Sequence, residues 1–191
     1  MGRQSGQTLP ELMTALAIFV TLGWVGLPAV RAWYVRAQLV GTAEVFKGEF
    51  RKARSLAIRR NAYTALCFEQ RADGVYLRVA LDRDYDGVSS RDLRAGIDTF
   101  LDEGRRLTDV AEVRVGVLPG VPEPPPGRGM LDPADPIRFG RSDMVSFSPL
   151  GGATPGTLYF AGHGLQAAVR VTGNTGRVST LLWEGDQWRR R

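Results

Sequence analysis

The chain has 191 residues, enough for one globular domain with an appendage. Its 25 Lys and Arg against 20 Asp and Glu give a net charge of +5, nearly all of the basic side being arginine, with Lys47 and Lys52 the only lysines; such a balance suits anionic lipid or nucleic acid, or simply a solvated surface. A single cysteine, Cys67, excludes an internal disulfide, and a single histidine, His163, with no second His and no Cys close to it in sequence, leaves a zinc site without a ligand set.

In chain order, the first predicted element is an apolar helix. From Leu12 to Val30 run 19 residues without a charge. At 1.5 Å per residue a helix of that length is about 28 Å long, close to the hydrocarbon thickness of a bilayer. Arg3 precedes the run and Arg31 and Arg36 follow it, so flanking charge leaves its orientation open. The run is too long for a secretory signal peptide, and Arg31-Ala32-Trp33-Tyr34-Val35-Arg36 does not read as a cleavage site. Gly23, Gly26 and Pro28 predict a loosened segment, or the ordinary tolerance of membrane helices for Gly and Pro. Glu11 stands at the lip of the run, and a carboxylate there is costly in lipid unless a cation neutralises it. A free amine at Gln7, made by cutting the chain after Gly6, would be such a cation; in a filament it would lie on a neighbouring copy and set the axial register.

The stretch Gly6-Gln7-Thr8-Leu9-Pro10-Glu11-Leu12 resembles the processing motif of type IV prepilins and pseudopilins. The resemblance implies a leader, residues 1–6, removed by a prepilin peptidase at Gly6. It implies that Gln7 becomes the methylated first residue, where the family prefers Phe, and that Glu11 is the assembly acid. Residues 7–30 would then form the transmembrane and filament-core helix.

Residues 31–62 continue as an amphipathic helix. Leu39, Ala43, Phe46, Phe50, Ala53 and Ala57 recur at spacings of three and four, which predicts one face pressed on a sheet with Phe46 and Phe50 as anchors. The cluster Arg51, Lys52, Arg54, Arg59 and Arg60 reads either as a solvated face or as an anion contact.

Beyond Asn61 the pattern shifts to short strands, making residues 63–191 a β-rich head. Strands are expected over 63–69, 75–81, 111–118, 137–139, 144–148, 158–161, 167–172 and 176–182, with a tail over 183–191. The Pro- and Gly-rich segment 119–136 is expected to be a long exposed loop. The fold class is α+β, a long N-terminal helix packed on an antiparallel sheet.

Here too there is a resemblance. Val145-Ser146-Phe147-Ser148-Pro149-Leu150-Gly151-Gly152, Gly156-Thr157-Leu158, Val169-Arg170-Val171 and Gly176-Arg177-Val178 are similar to the C-terminal half of the GspH/FimT pseudopilins. The resemblance implies a structural subunit of a type II secretion pseudopilus or of a type IV pilus. It would reside in the bacterial inner membrane as a single-pass protein with its head in the periplasm. Its partners would be other pilin-like subunits, the prepilin peptidase and the assembly platform. Some FimT-type subunits bind DNA through a basic C-terminal region around Gly-Arg-x-Arg. The matching stretch here, Gly176-Arg177-Val178-Ser179, lacks the second arginine, but Arg177, Trp188, Arg189, Arg190 and Arg191 combine charge for phosphate with an indole for a base. DNA is therefore the alternative partner.

One further motif stands apart. Asp82-Arg83-Asp84-Tyr85-Asp86-Gly87 has the alternating acids and glycine of a calcium loop, but its twelfth position is Leu93 and no helix pair flanks it, so it is not an EF-hand. Calcium held by Asp82, Asp84 and Asp86, or an acidic turn held by aspartate hydrogen bonds, both remain open. No other cofactor is expected. No Gly-rich phosphate loop, Ser/His/Asp order or metal cluster suggests an enzyme.

Overall fold

The computed structural model describes residues 9–107 and 113–191, except for the side chains of Val25, Gly26, Pro28 and Ala29. Gly6 and Gln7 therefore lie outside the described residues. The first element, α1 (Leu9–Arg60), is a helix of 52 residues that runs through Gly23, Gly26 and Pro28 without a break, so the loosened segment expected there is not seen. It ends where Asn61 takes a left-handed φ of 49° and Ala62 N–H donates to Ala57 O at 3.3 Å. The chain divides into two compact units, 1–37 and 38–191, with the division inside α1.

In the first unit the helix buries almost nothing. Leu12, Leu16, Phe19, Leu22, Trp24 and Leu27 are each more than half exposed, and they spread over about 200° of the helix surface. Among the described residues no helix is long and apolar enough to cross a membrane. The charge-free run 12–30 contains the four residues without described side chains. Its uninterrupted described part, Leu12–Trp24, measures about 20 Å as a helix, short of the roughly 30 Å hydrocarbon core. The transmembrane helix expected over residues 7–30 is thus not shown by the structure.

The second unit packs the rest of α1 on two antiparallel sheets. One sheet holds β1 (Thr64–Arg71), β2 (Gly74–Leu81), β3 (Thr99–Phe100), β4 (Arg105–Leu107) and β7 (Met144–Phe147), in the order β3-β2-β1-β7 with β4 also on β2. The other holds β5 (Arg114–Val115), β6 (Ile137–Arg138), β8 (Gly156–Gly162), β9 (Leu165–Thr172), β10 (Arg177–Trp183) and β11 (Trp188–Arg190), in the order β11-β10-β9-β8-β5 with β6 also on β8. The architecture is α+β. The stripe read from spacing is the buried face of α1: Leu39, Ala43, Phe46, Phe50, Ala53 and Ala57 are all nearly or fully buried. Phe46 meets Phe160 of β8 at 4.7 Å between ring centroids, while Phe50 sits edge-on to Phe68 of β1 and to Phe139 after β6. One helix thus ties both sheets into a shared core, each anchor contributing about 1.5–3 kcal/mol by burial.

Three expectations need correction. The segment 119–136 is a loop, but not a free one. Leu131 N–H donates to Val121 O at 2.9 Å and Glu123 N–H to Gly129 O at 2.8 Å, so it closes on itself. Val121 and Leu131 are buried against Tyr159, Ala168 and Leu181, and Arg170 donates to Pro124 O at 3.0 Å. The strand expected over 111–118 shortens to β5, and its residues 111 and 112 lie outside the described residues. Val113 and Val117 are buried as the alternation implies, yet fully buried Gln166 interrupts the ladder, accepting from Leu118 N–H at 2.7 Å and donating to Gly116 O at 3.1 Å. Finally, the tail is not irregular: β11 pairs with β10, Trp183 opposite Trp188 and Leu181 opposite Arg190.

Candidate functional site

The site with the most distinctive chemistry lies within the second unit, where α1 meets the β10–β11 hairpin. Lys47, Arg51 and Arg54 follow one another at spacings of four and three, which places them in an arc of about 60° on one side of α1. Facing them are Arg177 at the start of β10, Arg190 in β11 and Arg191 beyond it, the last fixed by Arg191 N–H donating to Thr180 O at 2.9 Å. These six cations line a cleft of about 270 Å³, together with Thr175, Gly176, Val178 and Ser179 and no carboxylate.

Close approach of the backbone makes the cleft's floor. Gly176 has φ of 56° and Gly151 has φ of 84°, a conformation that disfavours any side chain. A Cβ at Gly176 would run into the Gly151 carbonyl oxygen. Arg54 Nε donates to that same carbonyl at 3.0 Å, so one guanidinium is held in place by the two turns.

The nearest acids are already engaged. Glu44 accepts from Thr180 Oγ1 at 2.7 Å and from Lys47 Nζ at 2.9 Å. Burial is the largest single influence and pushes its carboxyl up, but these two hydrogen bonds and the charges of Lys47 and Arg51 outweigh it, so Glu44 lies below its ordinary value. Glu184 pairs with Arg189 Nε at 2.9 Å and more loosely with Arg191 Nη2 at 3.6 Å. Among the described residues Arg51, Arg177 and Arg190 make no ion pair.

Of the five residues singled out for DNA, the structure gathers Arg177, Arg190 and Arg191 but not the other two. Trp188 donates its indole N–H to Pro122 O at 2.8 Å and packs on Trp183 and Tyr159. It helps hold the 119–136 loop on the sheet, is partly buried there, and does not line the cleft. Arg189 turns to Glu184. What the tail reading missed was the helix side of the cleft, although the spacing of 47, 51 and 54 separates those residues from Lys52, Arg59 and Arg60, which point elsewhere.

The aspartate loop is a second, weaker candidate. One carboxylate oxygen from each of Asp82, Asp84 and Asp86 falls within 4.8 Å of the others, as a cation would need. Asp82, however, is 2 % exposed and already accepts from the backbone N–H groups of Asp84, Tyr85 and Gly87 at 3.1, 2.8 and 3.1 Å. Asp98 is equally buried and accepts from Arg83 N–H and Ser89 N–H. Burial raises its pKa, those hydrogen bonds lower it, and the charges of Asp82 and Asp84 add to the rise. Two buried carboxylates therefore fold this loop from within. Cys67 is buried in β1, where desolvation, with Glu69 adding to it, pushes the thiol up to about 12; it is a packed, inert side chain. His163 occupies the β8–β9 turn with φ of 52°.

Glu11 stands in the first turn of α1, where the helix dipole favours negative charge. Comparison with curated proteins and with solved structures gave no match. The family model described as type II transport protein GspH matches residues 42–176, a range that takes in the core stripe of α1 from Ala43 on, the whole first sheet, β5, β6, β8 and β9 of the second, and the α1 wall of the cleft, with β10 and β11 beyond it. That match covers well over half of the sequence, and the chain belongs to the GspH family of type II transport proteins.

Proposed function

We propose that this chain is a minor pseudopilin that is cut after Gly6, resides in the bacterial inner membrane with its head in the periplasm, and joins a filament of pilin-like subunits through residues 7–30. The observation that carries the reading is the first unit of α1. Its large apolar side chains are exposed over more than half of the helix surface, and no charged residue stands between Leu12 and Val30; a helix with so broad an apolar surface and no charged face needs either lipid or neighbouring helices to cover it. A pseudopilin uses both in turn, lipid before assembly and sister helices after it. Family membership supports a structural role in type II secretion, in company with other pseudopilins, and provides no catalytic one.

Glu11 supplies the register. In the filament its carboxylate would face the amine exposed at Gln7 of an adjacent subunit, a pairing worth far more in a dry helix bundle than in water. Replacing Glu11 by Leu should leave the head folded and the chain in the membrane, yet abolish its cross-linking to other pseudopilins. Cross-linking at the parent level would contradict the reading. The DNA-binding alternative keeps three arginines in one place, with Trp188, the group that would recognise a strand by stacking, outside the cleft and partly buried against Trp183 and Tyr159.

A further inference from the structure

We infer that the cleft between α1 and the β10–β11 hairpin is a binding site for a phosphate group, which goes beyond the structural role proposed above. Six cations and no carboxylate line it, and Arg51, Arg177 and Arg190 have no ion pair among the described residues. Glu44 and Glu184 offset Lys47 and Arg191 from outside the cleft, but cations held together without counter-charge repel one another, so the other arginines leave an electrostatic deficit that a bound oxyanion reduces. Arginine in particular matches the geometry of phosphate, because its planar fork can donate two parallel hydrogen bonds. Arg54 is pre-positioned by its bond to Gly151 O, and Thr175 and Ser179 line the same space. With about 270 Å³ the cleft has room for a phosphate and a small substituent. It has no aromatic wall, so it selects the phosphate and not a base. The group fits equally as a free anion or as the headgroup of an anionic phospholipid.

The test is calorimetry on the full chain in uncharged detergent, at constant ionic strength in chloride, with inorganic phosphate and glycerophosphoglycerol as separate probes. Saturable one-to-one binding is expected. The Arg51→Gln, Arg177→Gln pair should weaken it at least about tenfold, the loss of charge-assisted hydrogen bonds. Arg59→Gln with Arg60→Gln removes the same charge outside the cleft and should leave it unchanged. Binding of the diester alone assigns the site to a lipid headgroup, and binding of inorganic phosphate alone assigns it to a free anion; either supports the site. Thermal unfolding checks the same point without titration, since phosphate should raise the melting temperature of the parent and not of the cleft pair. No saturable binding of either probe, equal losses in both arginine pairs, or binding only of a single-stranded oligonucleotide would each overturn the inference.

Discussion

Asp82 shows how a motif and its structural use can diverge. Its sequence context has the form of a calcium loop, yet its buried carboxylate accepts three backbone N–H groups. Asp82→Ala would leave those donors unsatisfied inside the protein, at a cost of about 2–3 kcal/mol. Urea unfolding should show that loss whether calcium is present or chelated. A loss seen only with calcium would instead make Asp82, Asp84 and Asp86 a metal site. Gly176 and Gly151 stand in turns with positive φ. What sequence could not show was that the two turns meet, since that contact spans both sheets. The same holds for the cleft: Arg177, Arg190 and Arg191 were visible as a basic C-terminal region, but the three α1 cations opposite them are more than a hundred residues away in the chain.

At the level of elements, α1 was the most readable part because helical periodicity reports burial directly. All six positions expected on the core face are buried. Phe50 touches aromatic rings from both sheets, so Phe50→Ala should cost about 3–5 kcal/mol. Val45, on the same helix but 57 % exposed, should tolerate alanine within about 0.5 kcal/mol. Denaturant unfolding of the two variants checks the pair, and equal losses would mean that the stripe does not organise the core. Long strands were read to within a residue or two. Short ones were not: β3, β4 and β11 are two or three residues long, too short for alternation to register. The helix α2 (Ser90–Ala95) was missed although its signals are local, Ser89 capping Asp92 N–H at 3.1 Å and Gly96 closing the end with φ of 74°. The loop 119–136 misled because Pro and Gly mark turns without saying whether a turn is anchored, and here Val121, Leu131 and Trp188 anchor it.

For the molecule as a whole, the two units answer to different surroundings. Residues 38–191 bury their apolar side chains internally, around α1 and between two sheets. The described part of 1–37 buries almost none, and its solution must come from outside the chain. That asymmetry follows if the first unit is built for lipid and then for a filament, and it is hard to reconcile with a head that works alone. The family match falls on the self-sufficient part, residues 42–176, which leaves processing and insertion to be established at the other end. The most direct measurement is the intact mass of the protein recovered from membranes of cells with an active prepilin peptidase. The account predicts a chain that starts at Gln7, with the six-residue leader gone and a methyl group on the new amine. A chain that still starts at Met1 under those conditions would contradict it.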